Sequence, residues 1–307
     1  MAASLIINAD DFGLTPGVNR AIRELHQAGV LTSATLMATG KAFDDAVSIA
    51  LANPTLGVGC HIVLTDGVPV SNPDAIPTLI GSDGKTFRPK MSDFVIALLR
   101  GKINQLEIEH EALAQINKLQ QAGIDVTHLD THKHTHFFPA VTRALLRVAE
   151  SNSIGAIRNP FEPKWCRSLG RGKFFRRFEL AMLDGLKSQF DNQRQIRNGY
   201  VHTTGGTIGV SATGQLHHES LSQILHDAPE GLWELVCHPG YNDADLDKIT
   251  TRLRAHRDIE RDALLTVVRE RLAQPNPPEL IHYGNLGSLG LMREMGVHTP
   301  DTGFDQT

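Results

Sequence analysis

The chain has 307 residues, enough for one α/β barrel or for two smaller domains. Hydrophobic residues make up 41% and charged residues 21%, which is ordinary for a globular protein. The formal net charge of -4 gives no polyanion-binding signal over the whole chain, so nucleic acid is not an expected partner. The three cysteines, Cys60, Cys166 and Cys237, are odd in number and widely spaced, which favours a reducing compartment over a disulfide framework.

The first residues lack the basic segment of a secretory signal peptide and reach charged residues too early for one. No apolar run approaches the roughly 20 residues that a membrane-spanning helix needs. From these two observations we expect a cytoplasmic protein.

Short apolar runs alternate with longer segments of helical periodicity. The predicted strands are 5–8, 31–37, 57–64, 126–129, 156–157, 232–237 and 280–283. The first predicted helix begins after Thr15, a good N-cap before Pro16, and ends by Gly29. The other predicted helices are 43–52, 103–122, 140–152, 219–226 and 255–272. Strands that alternate with helices indicate parallel βαβ units.

Two regions interrupt this alternation. Residues 66–90 are rich in Pro, Gly, Asp and Ser and predict a long loop, and residues 160–214 are irregular. Within the second region, residues 164–178 mix basic with aromatic side chains, a composition that suits either a solvated face or contact with a membrane surface. We predict one domain over residues 1–290 with an insert at about 160–214, followed by a C-terminal tail at 291–307.

Polar residues stand where the predicted strands end. Asp10 and Asp11 follow the first strand, His61 closes the third, and further polar residues end later strands, namely Asp130, His132, Arg158 and His238. In parallel α/β folds the carboxyl ends of the strands face one crevice. These side chains are therefore expected to converge there.

Each motif also has a simpler interpretation when taken alone. "LIINADDFG" sets two carboxylates side by side, which suits either a turn or a bound cation. His61 in "GVGCHIVLTDG" could be a hydrogen-bonded core residue. In "THLDTHKHTHFFP", five titratable residues would share one face of a continuous strand, whereas a loop would leave them solvated: His128, Asp130, His132, His134 and His136.

Taken together, the motifs favour a metal site. Asp11, His61 and one residue of the 130–136 group would provide a carboxylate and two imidazoles for a divalent cation, Mg²⁺ or Zn²⁺. Asp10 beside the ligand would act as a base, and His238 in "WELVCHPGY" would act as an acid. Arg158 in "IRNPFEP" would either hold an anionic or carbonyl group of the substrate or pair with Glu162.

With "NADDFG", "GCH", "DTHKHTH" and "CHPG" in this order, the sequence resembles the YdjC-like carbohydrate deacetylases, the ChbG/HpnK family. The resemblance implies a TIM-barrel-like (β/α) fold, one divalent metal ion and hydrolysis of N-acetyl groups from amino sugars. It also implies site roles: Asp10 as the base, Asp11, His61 and His132 as metal ligands, and His238 as the acid. Arg158, His134 and Asp130 are the residues that we expect to contact the substrate.

Two features separate two branches of the family. Lys133 in "DTHKHTH" stands where the chitooligosaccharide branch resembles "DSHHHVH". The hopanoid-associated HpnK branch is similar in having a lysine there and in a counterpart of "RNPFEP", so the likeness leans toward that branch and a glycolipid substrate. Other interpretations are a phosphoesterase or glycoside hydrolase on the same barrel, or a metal-stabilised sugar-binding protein without turnover. Either a homodimer or a monomer is compatible with the sequence.

Overall fold

A parallel sheet of seven strands, with β1 at its centre, forms the core of the fold. The computed structural model describes residues 3–169, 184–249 and 251–287. The strands are β1 (Ser4–Phe12), β2 (Ser33–Leu36), β3 (Gly57–Ile62), β4 (Leu129–Thr131), β5 (Thr207–Ile208), β6 (Leu232–Cys237) and β7 (Glu279–Leu280). Their spatial order is β4-β3-β2-β1-β6-β5, and β7 pairs with the first residues of β1. Each of these pairs is parallel, as the βαβ pattern predicted.

Helices connect the strands. They are α1 (Pro16–Gln27), α2 (Phe43–Ala52), α3 (Met91–Leu99), α4 (Gln105–Gln121), α5 (Pro139–Ser151), α6 (Lys164–Leu169), α7 (Lys187–Asp191), α8 (Arg194–Arg197), α9 (His218–Asp227), α10 (Ala255–Ala263) and α11 (Arg269–Leu272). A π-helical segment, Leu264–Val268, joins the last two. The structure confirms the six predicted helices with boundaries shifted by a few residues, and it adds α3, α6, α7 and α8, which the sequence did not predict.

The sheet curls into a half barrel, and a closed eight-stranded barrel is not formed by the described residues. The predicted strand at 156–157 makes only isolated parallel bridges, from Ile157 to Leu129 and from Ala156 to His202. β4 begins at Leu129, although the predicted strand ended there. The prediction of a parallel α/β fold is therefore confirmed, whereas the full TIM barrel is not.

Burial explains why the central strands read as continuous apolar runs. From Leu5 onward every residue of β1 is buried, because both faces of the strand are covered. Ile7 lies in the main hydrophobic core, whereas Ile6 packs in a second cluster with Ile281 and Tyr283. α1 shows how a covering helix is specified. The Thr15 hydroxyl accepts a hydrogen bond from the Val18 backbone at 3.2 Å, and Val18, Ile22 and Leu25 form its buried stripe.

The long loop after β3 is held against α4 by buried polar side chains. Glu111 accepts hydrogen bonds from the backbone of Val70 and Ser71, both at 2.9 Å. Gln115, one turn later, accepts from Val63 N at 2.9 Å and donates to Val63 O at 2.8 Å. These contacts fix the start of the loop beside the carboxyl end of β3, where His61 lies.

Several sequence predictions concern residues outside the described ranges. Most of the basic and aromatic segment at 164–178 and the whole tail at 291–307 fall there, so their predicted roles stay predictions. The division into one domain with an insert also stays a prediction. Among the described helices, none combines the length and the apolar character that crossing a membrane requires. All three cysteines are buried and free.

Candidate active site

A backbone irregularity at the end of β1 brings the two adjacent aspartates to the same edge of the sheet. The register between β1 and β2 shifts between Ala9 and Phe12, and Asp11 adopts a left-handed backbone with φ 65°. Successive side chains of a regular strand point to opposite faces, so the irregularity is needed to direct both carboxylates to one site. Aspartate tolerates the left-handed region better than most residues.

The two oxygens of Asp11 have different partners. Oδ2 accepts a hydrogen bond from Arg257 Nη2 at 2.6 Å. Oδ1 faces two imidazoles, with His132 Nδ1 at 3.4 Å and His61 Nε2 at 3.7 Å. The ligand atoms of these three residues all lie within 4.8 Å of one another. One carboxylate oxygen and two ring nitrogens at this spacing are a donor set that fits a divalent cation such as Zn²⁺.

His61 is oriented by a carboxylate on the opposite side of its ring. Nδ1 lies 2.7 Å from Asp130 Oδ1, which leaves Nε2 directed at Asp11. Metal-binding histidines commonly have such a carboxylate partner. Burial opposes the charged form of the ring, but the negative charges of Asp130 and Asp10 outweigh it and raise the pKa of His61 to about 9.

A second group of possible metal ligands consists of Asp10, His61 and Asp130. Its two carboxylates already form ion pairs with an arginine of the protein. Arg158 Nη2 lies 2.6 Å from Asp10 Oδ1, and Nη1 lies 2.6 Å from Asp130 Oδ2. Its Nε also donates to Glu234 Oε1 at 2.8 Å. Because a guanidinium neutralises this group, the Asp11 group is the better candidate for a metal ion.

The arginines keep both aspartates ionised. Burial alone would favour the protonated acids, yet Arg158 lowers the pKa of Asp10 and Arg257 lowers the pKa of Asp11, each well below the ordinary value. Glu234, the third carboxylate around Arg158, behaves differently. Its burial prevails over the guanidinium, and its pKa is raised.

His238 follows β6 and lies on the other side of Asp10. Its Nε2 is 3.8 Å from Asp10 Oδ2, and its side chain is 12% exposed. Cys237, the preceding residue, is fully buried and its thiol contacts the backbone oxygen of Asn8 at 3.3 Å. The structure thus brings together Asp10, Asp11 and His238 at the carboxyl edge of the sheet.

The prediction that five residues of "THLDTHKHTH" share one strand face was wrong. The strand ends at Thr131, and residues 132–137 form a 3-10 segment in which Lys133 and His134 have left-handed backbones, with φ 57° and 52°. His128 turns into the core and stacks on Tyr283 with ring centroids 3.9 Å apart. The hydroxyl of Thr131 contacts His136 Nδ1 at 2.6 Å.

The residues predicted to bind the substrate have other contacts. Arg158 and Asp130 are fully buried and pair with each other, and their contacts with the substrate stay predictions. Arg158 meets three carboxylates, none of them the predicted partner Glu162. His134 is 9% exposed and packs edge-on against Phe137, and its contact with the substrate stays a prediction.

The sequence analysis did not identify two charged residues near the site. Arg257 and Glu260 lie three residues apart on α10 and are each only 1% exposed. They face inward with Ala263 and Leu264, which are also buried. Two opposite charges on the apolar stripe of a helix are the signal that could have revealed them.

The parallel sheet and its Asp–His–His group, flanked by Asp10 and His238, define a candidate metal centre with two ionisable groups beside it. The chain belongs to the YdjC-like protein family, which it matches over residues 4–274. It is 40% identical to carbohydrate deacetylase 2 of Listeria innocua over 284 residues, covering 92% of this chain and 98% of that protein.

Other relatives and one solved structure agree with this membership. The carbohydrate deacetylase of Thermoanaerobacter pseudethanolicus is 29% identical, over 85% of this chain and 90% of that protein. A match to the Brevibacillus brevis carbohydrate deacetylase, 43% identical, spans 51% of this chain and only 59% of that protein. A crystal structure from Enterococcus faecalis V583, of a protein assigned to cellobiose-phosphate cleavage, has a TM-score of 0.72 at 25% identity and covers 93% of this chain and 99% of its own.

Proposed function

We propose that the protein is a metal-dependent hydrolase that removes the N-acetyl group of an amino sugar and releases acetate and a free amine. The observation that carries the proposal is the Asp11–His61–His132 group with Asp10 and His238 beside it, in a chain of the YdjC-like family. The carbohydrate deacetylases among its relatives support the choice of substrate class.

Asp11, His61 and His132 would hold the cation. A divalent cation there supplies a Lewis acid that polarises the acetamide carbonyl and lowers the pKa of water. Arg257 binds Asp11 Oδ2 and thereby leaves Oδ1 turned toward the two imidazoles. Imidazole nitrogens favour Zn²⁺, while a carboxylate with several waters serves Mg²⁺.

Asp10 is the proposed base. Arg158 keeps it ionised, and its Oδ2 is the oxygen that faces His238. It would take a proton from the water that attacks the acetamide carbon. The hydrogen bonds from Arg158 to both of its oxygens fix the direction of the carboxylate.

His238 is the proposed acid. As the bond between the carbonyl carbon and the nitrogen breaks, the electron pair stays on nitrogen and a proton from His238 Nε2 completes the free amine. Asp10 and His238 are close enough, at 3.8 Å, for the two proton transfers to occur around one acetamide group.

A substrate with a lipid-linked aglycone is favoured by one position at the rim. Lys133, next to the proposed ligand His132, forms a half-exposed ion pair with Asp66 at 2.7 Å. The resemblance to the hopanoid-associated branch rests on this lysine and on the counterpart of "RNPFEP". We therefore place a glycolipid ahead of a free chitooligosaccharide as the substrate.

The other hydrolase classes have less support in the geometry. A glycosidase needs two free carboxylates across the sugar, yet the other two carboxylates around Arg158, Asp130 and Glu234, are fully buried, which leaves Asp10 without a partner. A phosphoesterase would use arginines for the phosphate, yet Arg158 and Arg257 are both buried and bound to carboxylates. A sugar-binding protein without turnover gives no role to Asp10 as a base.

The roles of the residues are tested by two variants measured for acetate release and for metal content. Asp10→Asn is expected to abolish turnover and to keep the metal, because the amide cannot accept the proton. His132→Ala is expected to lose both. Retained turnover in Asp10→Asn would exclude Asp10 as the base, and unchanged metal content in His132→Ala would exclude that histidine as a ligand.

A further inference from the structure

Helix α10 places two buried charged residues against the site, Arg257 beside Asp11 and Glu260 beside His238. Arg257 contacts the proposed metal ligand Asp11, as described above. Glu260, one helical turn later, contacts His238 instead. Neither residue belongs to the motifs that identify the family in the sequence, and the contacts of Glu260 give it a specific task.

Glu260 contacts His238 twice. Its Oε2 accepts a hydrogen bond from the backbone N of His238 at 2.6 Å and lies 3.9 Å from Nδ1 of the ring. Its Oε1 accepts from Gly214 N at 3.4 Å. The imidazole therefore stands between two carboxylates, with Asp10 on the Nε2 side and Glu260 on the Nδ1 side.

We propose that Glu260 is a positioning residue that holds the His238 ring with Nε2 toward the substrate. The proposal rests on the function proposed above, in which His238 gives its proton to the departing amine. A carboxylate at Nδ1 keeps a proton on that nitrogen, so only Nε2 exchanges its proton with the reacting groups.

The charge of Glu260, rather than its hydrogen bond to the backbone, is the informative part. A buried carboxylate is costly unless charges or hydrogen bonds compensate it. A glutamine could keep the hydrogen bond from the backbone N of His238 through its carbonyl oxygen, but its amide group would then face Gly214 N, which is also a donor. A glutamate accepts both of these backbone bonds and also places a negative charge 3.9 Å from the ring that carries the proton for the departing amine.

The Glu260→Gln variant distinguishes fastening of the turn from positioning of the His238 ring. The acid is tested by comparing a substrate whose leaving group needs a proton with one whose leaving group does not. Breaking an acetamide requires protonation of the amine, whereas p-nitrophenyl acetate releases a phenolate that needs no proton. We expect Glu260→Gln to lower kcat on an N-acetylated sugar by about 10- to 100-fold, with KM little changed. On p-nitrophenyl acetate the loss should stay below about threefold. Glu270→Gln, the same change at a half-exposed position, should match the unaltered protein on both substrates.

The outcomes are distinct. Equal losses on both substrates, or no loss on the sugar, would overturn the positioning role. Absence of acetate release from any N-acetylated sugar by the unaltered protein would refute the proposed function instead. The double variant with His238→Asn should be no slower on the sugar than His238→Asn alone, since Glu260 acts through that ring, and additive losses would contradict this.

A measurement on the metal-free, unaltered protein does not depend on how the variant folds. Two-bond ¹H–¹⁵N NMR correlations distinguish the two neutral forms of an imidazole, and His238→Asn assigns the signal. We expect the proton of neutral His238 on Nδ1. A proton on Nε2 would overturn the proposal.

Discussion

Replacing Arg158 by Met would remove the one guanidinium that three buried carboxylates share. Arg158 itself is fully buried, and its contacts with Asp10, Asp130 and Glu234 are each 2.6 Å long. Methionine fills much of the same volume and carries no charge. The substitution therefore tests the charge balance of the site more than its packing.

The expected loss of stability is large. Breaking a buried ion pair by removing one partner costs about 3–5 kcal/mol, and here the carboxylates left behind have lost their shared cation. Domains of ordinary stability unfold at a cost of about 5–15 kcal/mol, so the variant should fold but with a much smaller margin.

The loss should also depend on pH. In the unaltered protein Arg158 lowers the pKa of Asp10 despite its burial. Without the guanidinium, burial raises the pKa of that carboxyl above its unfolded value. The folded variant then binds more protons than the unfolded chain, and its stability falls as pH rises through the raised pKa. Acidification from pH 8 to pH 5 should therefore reduce the difference in the free energy of unfolding between the variant and the unaltered protein.

Urea unfolding at several pH values measures both effects. Arg147→Met is the matched control, because Arg147 forms a partly exposed pair with Glu109 and its loss should cost less than about 1 kcal/mol. The reasoning is refuted if Arg158→Met unfolds within about 1 kcal/mol of the unaltered protein at pH 8. It is equally refuted if the difference does not change with pH.

Three further predictions follow from single contacts. Because the pKa of His61 is about 9, cation binding at pH 7.5 should release about one proton, and the affinity for the cation should fall about tenfold for each pH unit of acidification. Calorimetric binding enthalpies measured in buffers of different ionisation enthalpy check this, and enthalpies that do not vary with the buffer would contradict the assignment of His61 as a ligand. A Cβ at Gly59 would lie 2.5 Å from Cε1 of His128, so Gly59→Ala should lower the free energy of unfolding by about 1–3 kcal/mol. Gly155→Ala is the control, because a Cβ there meets open space and should not change the free energy of unfolding. Equal urea midpoints for the two variants would show that the His128 ring moves freely. Lys133→Ala breaks a half-exposed ion pair and should change the stability by less than about 1 kcal/mol, and a larger shift in melting temperature would mean that the pair supports the fold.

Sequence patterns predicted the parts of the fold that depend on local periodicity. The apolar run before Asp10 and the capped helix after Thr15 both have a local cause, and both are present. The place of Asp10, His61 and His238 at the strand ends follows from parallel topology, which the alternation of strands and helices indicated.

The features that the sequence did not predict depend on unusual backbone conformations and on contacts between residues that are far apart in the chain. Left-handed residues at Lys133 and His134 end the two-residue alternation, and neither is a glycine that would have signalled it. The contact of Arg158 with Glu234, which is 76 positions away on β6, was not predicted, because no local pattern links two residues so far apart. Arg257 reaches Asp11 across 246 positions, a pairing that no local pattern carries.

Acetate release tests the central claim most directly. The metal-reconstituted protein would be offered a chitobiose-type oligosaccharide and a lipid-linked N-acetylglucosamine, with Asp10→Asn run alongside. We predict acetate and free amine in equal amounts from at least one substrate, the lipid-linked sugar being favoured, and none from the variant. No acetate from either substrate, or equal release by Asp10→Asn, would contradict the account.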